Sequence, residues 1–210
     1  DITIDTRHGV RLSGTLTIPA GTAPFPAVVL ISGSGPQDRD ESLMGHRPFL
    51  VLADHLTRRG IAVLRTDDRG TGRSTGTFAD ATSMDFARDA EASFAFLRGR
   101  REVDARRVGF VGHSEGGLIA PIIAARNRDV AFIVLLAGPG VPGDQILVAQ
   151  TELIARASGT NPDMVAKNNE RLRDLLVLVK SSVDRGTLET QIRSRLSDLP
   201  AEQVEIQVKA

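Results

Sequence analysis

The 210 residues contain no cysteine, no tryptophan and no tyrosine. Without a thiol there is no disulfide, no thiolate-bound metal and no cysteine nucleophile, and that silence fits either redox compartment. Aromatic residues make up only 4% of the chain, which argues against a sugar-stacking site. Excess charge is missing too. The 26 lysines and arginines balance the 26 acidic residues, so no basic surplus exists to drive counterion release from nucleic acid or an anionic membrane. No apolar run approaches the ~20 residues of a membrane span. The four histidines are scattered at positions 8, 46, 55 and 113, in no metal-ligand spacing, and none follows His113. No repeat or low-complexity tract is present. The chain opens at Asp1 without a methionine, so a removed leader and a trimmed start both remain open, and localisation with them.

What is present is a core. At 41% hydrophobic residues the chain is long enough for one domain with an insertion. Ile2–Asp5 and Leu12–Ile18 alternate apolar and polar residues around His8-Gly9, which predicts an antiparallel pair at a sheet edge. Ala27–Ile31 is instead a continuous β-branched run, as expected of a strand buried on both faces. Ile61–Leu64, Val108–Val111 and Val130–Leu136 repeat that signature. Between them lie helical patterns: Phe49–Arg59, ending at Gly60, and Met84–Arg98, with Ser83 as N-cap and Gly99 as stop. Strands alternating with helices imply parallel pairing and an α/β fold, a mostly parallel sheet with helices on both faces. After Val141-Pro142-Gly143 three amphipathic helices are expected: Asp144–Ala157, one begun by Asn161-Pro162, and one carrying Leu188, Ile192 and Leu196 and closed by Pro200. A helical insertion following a parallel strand reads as a lid, since clefts in open sheets lie beyond the strands' C-terminal ends. The tail, Val204–Lys209, alternates like a strand, although Val204 and Val208 also fit a helix.

The chemistry concentrates where Val108–Val111 stops at Gly112-His113-Ser114-Glu115-Gly116 and a helical segment begins at once. This is a G-x-S-x-G nucleophile elbow in its strand–turn–helix setting. Glycines at 112 and 116 let strand and helix approach, and the turn lifts the Ser114 hydroxyl off the sheet. The helix N-terminus beneath it favours developing negative charge. A second match, Gly72-Arg73-Ser74-Thr75-Gly76, lies several residues past its strand and starts no helix, so Ser74 is read as structural. Ala27–Ile31 runs into the glycine-rich loop Ser32-Gly33-Ser34-Gly35. Acyl transfer needs N–H donors where the oxyanion forms, and the expected pair is the backbone of Glu115 and of Ser34, with Gly35 as the alternative to Ser34.

The segment Asp67-Asp68-Arg69-Gly70-Thr71-Gly72 is read as structural, with Arg69 paired to a carboxylate. His113 leaves the turn in a different direction from Ser114, so packing or hydrogen bonding beside the elbow is its expected role. His46, just after the glycine-rich loop, is the residue to weigh as a substitute base.

The order of a strand pair, G-S-G-P-Q-D-R-D, D-D-R-G-T-G-R-S and G-H-S-E-G-G, followed by a helical insertion, resembles the bacterial serine esterases of the α/β-hydrolase superfamily. The similarity is greatest to lidded carboxylesterases related to dienelactone hydrolases and prolyl-oligopeptidase-type hydrolases. The resemblance implies Ser114 as nucleophile and the Ser34 and Glu115 amides as oxyanion donors. One departure is Ser32-Gly33, where relatives often carry His-Gly. In the superfamily the nucleophile follows the fifth strand, the lid the sixth, the acid the seventh and the histidine the eighth. Val108–Val111 counts here as the fifth and Val130–Leu136 as the sixth, so the acid and base are expected beyond Ala210, and the 210 residues alone are expected to be nearly inactive. Residues 1–142 then form the core, 143–200 the lid, and 201–210 a return to the core or the lid's tail. Independently, Val130–Leu136 is apolar on both faces, which suits an interior strand and predicts completion or self-association through an otherwise uncovered edge.

The expected activity is hydrolysis of a small-molecule carboxylic ester through an acyl-enzyme on Ser114, with no cofactor and no metal. A peptidase or amidase, and an acyltransferase or thioesterase, share this machinery. A hydrolase-fold binding protein without a triad is the non-catalytic alternative. Dehalogenase chemistry is disfavoured, because it wants an aspartate where Ser114 stands.

Overall fold

Alternate residues of the run Ala27–Ile31 serve two different cores, and that explains its unbroken apolar character. Val28 and Leu30 pack with Phe49, Ala53, Val63 and Val111 on one face of the sheet. Val29 and Ile31 pack with Leu64, Phe94, Leu97, Phe110, Ile119 and Ile123 on the other. The computed structural model describes residues 1–181 and 184–209. It divides into two compact units, Asp1–Pro139 and Gly140–Ala210.

In the first unit a six-stranded sheet runs β1 (Ile2–Asp5), β2 (Arg11–Thr17), β4 (Ala62–Thr66), β3 (Phe25–Ile31), β5 (Val103–His113), β6 (Ile133–Leu136) in spatial order. β1 and β2 pair antiparallel, as the alternation predicts, and β2 joins β4 antiparallel. β3, β4, β5 and β6 are parallel. Helix α1 (Pro48–Arg58) lines the Val28 face, with Phe49 and Ala53 buried, while α2 (Ser83–Arg98) and α3 (Gly116–Arg126) supply the other.

Most boundaries shift by one or two residues from the sequence reading, and three of the differences bear on the corner around Ser114. The N-cap of α2 is Thr82 and not Ser83, because Asp85 reaches back to accept the Thr82 N–H at 3.0 Å. Ser83 is the first helical residue, and its hydroxyl is spent elsewhere. β5 is 11 residues long, since Val103 to Arg107, with three charged residues, form the strand before the apolar run begins. β6 is only Ile133–Leu136, and among the described residues it pairs on one side alone. Its Val134, Leu135 and Leu136 are 43%, 47% and 38% exposed, so among the described residues this apolar run has the uncovered edge expected for it. A side-chain pattern reports the burial a strand is suited to, not the neighbours it has.

The second unit holds α4 (Gly143–Ala157), α5 (Pro162–Ser181), α6 (Arg185–Arg195) and α7 (Ala201–Lys209). The tail is therefore a helix, although residue 210 of the predicted segment 201–210 lies outside the described residues. Val204 packs with Ile192 and Leu196, and Val208 one turn later joins the same cluster. Ile206, which made the tail alternate like a strand, stays exposed. Among the described residues no helix is long and apolar enough to cross a membrane.

Candidate active site

β5 ends at His113 and α3 begins at Gly116, so Ser114 occupies the corner between them. Its φ is +50°, a left-handed conformation that a non-glycine residue adopts only when its surroundings impose it. Those surroundings are specific. The Ser114 N–H donates to the Leu136 carbonyl on β6 at 2.9 Å, and its own carbonyl accepts the Gly117 N–H at 2.9 Å. A Cβ on Gly116 would lie 2.8 Å from the Ser32 carbonyl oxygen, and one on Gly112 would lie 2.7 Å from the Gly117 nitrogen. Neither position has room for a side chain, which is why this stretch reads G-x-S-x-G. The Ser114 residue is half-buried, and its hydroxyl has no hydrogen-bond partner among the described residues.

Loop 32–37 follows β3 and meets this corner. A Cβ placed on Gly33 would be 3.1 Å from that of Ser114, so the loop backbone lies close against this serine with no side chain between them. The Gly33 N–H is already committed, donating to Glu41 Oε1 at 2.7 Å. The N–H groups of Ser34 and Glu115 have no acceptor among the described residues, and Ser34 is exposed. Gly35, at φ +95°, supplies the turn that only glycine takes without strain. The side chain of Glu115 is pinned by the Ser83 hydroxyl, which donates to its Oε1 at 2.6 Å. That bond ties the residue after Ser114 to the start of α2.

Carboxylates behind the loop hold it in shape. Asp68 accepts the Ser32 hydroxyl at 2.9 Å and the Gln37 N–H at 3.0 Å, one on each oxygen, and so clamps both ends of the loop. It borders a small cavity of about 40 Å³ shared with Gly33, Phe78, Phe86 and Glu115. Burial pushes its pKa from 3.8 up to about 6, against the two hydrogen bonds, with the nearby Asp89 and Glu115 charges adding to the rise. Asp67 shows the opposite balance. Burial raises it, but the Arg39 side chain and N–H and the Arg73 N–H together hold it below the usual carboxylate range. Arg39 reaches Asp67 with three donors at 2.8 to 2.9 Å. Arg69 pairs with Asp89 at 2.7 and 2.9 Å, the carboxylate partner expected for it.

The Asp68 shift makes a pH prediction. A raised folded pKa means that the protonated form favours folding. This contribution is fully present below about 3.8 and is lost as pH rises through about 6. The gap corresponds to about 3 kcal/mol. In urea unfolding, wild type is expected to gain roughly that much on the Asp68→Asn variant between pH 8 and pH 4. A difference that stays flat or shrinks on acidification would show that the carboxyl is not held in a poorly solvated site.

The remaining candidates separate cleanly. Ser74 is 8% exposed, its hydroxyl donating to the Asp67 carbonyl at 2.8 Å and accepting the Ser13 N–H at 2.9 Å, as a structural serine should. His113 places Nδ1 2.7 Å from Glu41 Oε1. His46 closes a bridge with Leu43 and lines an open pocket with His55 on the α1 side, a pocket that includes none of Ser114, Ser34 and Glu115. Glu41 is the residue that sequence reasoning missed. It belongs to no periodic pattern, and its partners are 8 and 72 positions away.

The family model described as serine aminopeptidase, S33, matches residues 47–185. Esterase EstD of Thermotoga maritima is 34% identical over 154 residues, covering 73% of this chain and 35% of that protein. Among solved structures, the chain is similar to Est1E from Butyrivibrio proteoclasticus with ferulic acid bound, at 26% identity and a TM-score of 0.57. That match covers 75% of this chain and 57% of the other. The α/β hydrolase GrgF from a Penicillium species has the same TM-score at 21% identity, over 77% of this chain and 55% of its own, and shows the fold alone. This chain thus spans about a third of the length of EstD.

Proposed function

Because the chain belongs to the serine aminopeptidase, S33 family of α/β-hydrolases, we propose that the protein is a serine hydrolase that cleaves carboxylic esters through an acyl-enzyme on Ser114. The observation that carries this reading is the contact of Gly33 with Ser114. It sets a half-buried, strained serine beside a loop whose next N–H, that of Ser34, has no acceptor among the described residues. The likeness to an esterase from Thermotoga maritima supports the ester as substrate class.

In the proposed reaction a histidine removes the Ser114 proton as Oγ attacks the ester carbonyl. The carbonyl oxygen takes up the negative charge and accepts hydrogen bonds from the Ser34 and Glu115 N–H groups. The tetrahedral intermediate collapses, the C–O bond to the alcohol breaks, and the histidine returns its proton to the departing oxygen. Water then repeats the sequence on the acyl-enzyme, releasing the acid and restoring Ser114. The histidine and the acid that orients it are proposed to come from outside these 210 residues. Residues 143–200 are proposed as a helical lid insertion, and the apolar edge of β6 as the line along which a further strand pairs.

A second reading, an amidase or aminopeptidase, is favoured by the description of the family itself. A fluorophosphonate probe and two substrate panels separate the possibilities in the full-length protein. Covalent labelling with turnover of nitrophenyl esters at least a hundredfold faster than aminoacyl anilides is the expected result. The reverse preference makes the protein a peptidase, and no labelling makes it a binding protein of this fold.

A further inference from the structure

The two N–H donors assigned to the oxyanion lie on separate pieces of chain, Ser34 after β3 and Glu115 after β5. Their separation therefore depends on whatever locks the loop to the elbow. One side chain touches both. Glu41 Oε1 accepts the Gly33 N–H at 2.7 Å and lies 2.7 Å from His113 Nδ1. Gly33 immediately precedes one donor, and His113 stands two residues before the other. With the Glu41 oxygen as acceptor, the donor in this bond is the imidazole Nδ1.

Glu41 is itself held from behind. Its side chain is 8% exposed and its φ is +53°, the left-handed region that a glutamate occupies only under strain. The turn that imposes this conformation is closed by Asp38, whose carbonyl accepts the Glu41 N–H and whose Oδ1 accepts the N–H groups of Asp40 and Ser42. The preceding residues are bolted to β4 and its end: Arg39 to Asp67, and Asp40 to the buried Arg65. Strain held in place by this much surrounding structure, and aimed at two functional segments, marks a positioning role.

Resting on the hydrolase reading above, we propose that Glu41 is a positioning residue for acyl transfer, coupling loop 32–37 to the elbow through Gly33 and His113 and thereby setting the gap between the Ser34 and Glu115 donors. It touches no reacting atom. Its effect is carried by the oxyanion donors, which act more strongly on the transition state than on bound substrate. Removing an oxyanion donor costs about 10²- to 10³-fold in kcat, so displacing one should cost about 10- to 100-fold.

The test uses the full-length protein with a short nitrophenyl ester, and fluorophosphonate labelling of Ser114 as a check on the underlying reading. Glu41→Ala is expected to lower kcat about 10- to 100-fold with KM changed less than threefold. Inhibition by a trifluoromethyl ketone, which forms the oxyanion, should weaken in step with kcat/KM, whereas inhibition by the product carboxylic acid should not. Glu41→Gln keeps an acceptor for the Gly33 N–H and should recover most of the loss. The His113 side chain is 42% exposed, so its replacement leaves the core intact. His113→Ala should lower kcat in the same way, and His113→Asn, whose amide N–H replaces the Nδ1 donor, should recover it. Glu41→Ala combined with His113→Ala should be little worse than Glu41→Ala alone.

A kcat within twofold of wild type in both alanine variants overturns the proposal while leaving the hydrolase reading intact. So does a loss in which the ketone and the product weaken equally, since that reports a general structural defect. If His113→Ala abolishes labelling as completely as loss of Ser114, His113 is the base and the proposal fails. Absence of Ser114 labelling in the wild type removes the hydrolase reading and this inference together.

Discussion

Ser114→Ala is expected to lower kcat for a nitrophenyl ester about a million-fold in the full-length protein, and to abolish fluorophosphonate labelling. The size follows from the way such a nucleophile works. Histidine, acid and serine act as a unit, so removing any one forfeits nearly all of covalent catalysis. The residual rate of about 10³-fold over water comes from the oxyanion donors and binding. KM should change little, because the hydroxyl bonds to the carbonyl carbon only after binding. Stability should change little as well. The strained φ of +50° belongs to the backbone, and the bonds to Leu136 and from Gly117 are main-chain bonds that alanine keeps. Ser74→Ala is the matched control, since Ser74 sits in the same G-x-S-x-G pattern. It should cost about 1 to 3 kcal/mol of stability, because the Ser13 N–H loses its acceptor, while the folded fraction keeps its turnover. More than a tenth of wild-type activity in Ser114→Ala, or loss of labelling on Ser74→Ala, would transfer the nucleophile's role elsewhere.

Gly116→Ala should be severely destabilising, costing about 4 kcal/mol or more of unfolding free energy or preventing folding altogether. The added Cβ would lie 2.8 Å from both the Ile31 carbonyl carbon and the Ser32 oxygen, and closer still to the Ile31 oxygen. Those atoms are backbone and cannot rotate away. Ile31 is the last residue of β3, registered against Gly112 on β5, and β3 is flanked by β4 and β5. Relief would require prising α3 off the sheet, which uncovers Ile119 and Ile123. Gly140→Ala is the contrast, because a Cβ there meets nothing within 4 Å and the backbone is not left-handed. It should be neutral or stabilise by up to about 1 kcal/mol. Urea unfolding of both variants measures the difference, and a Gly116→Ala protein within 1 kcal/mol of wild type would mean that the elbow is looser than its contacts indicate.

Local signals and long-range ones fared differently when sequence expectations met the structure. All six strands and the antiparallel pair were legible, because period-2 alternation and unbroken apolar runs are written in neighbouring residues. The elbow was legible for the same reason: a strand, a turn and a helix follow one another without interruption. Boundaries were less so. Ser83 and Thr82 are both good caps, and only the reach of Asp85 back to Thr82 decides between them. The tail misled because Val204, Ile206 and Val208 alternate, although a single contact face one helical turn apart suffices to bury the two valines.

By itself the sequence determined the fold class, the nucleophile candidate and the loop expected to face it, because each rests on steric rules that act within a few residues. Glycines at 112 and 116 and an apolar run before them leave the chain little else to form. Only the tertiary structure decided that Asp68 is buried enough to titrate near 6, and that Glu41 joins the loop to the elbow. Burial, desolvation and hydrogen bonding across 72 positions depend on which segments come together in space, and no local pattern of residues encodes that.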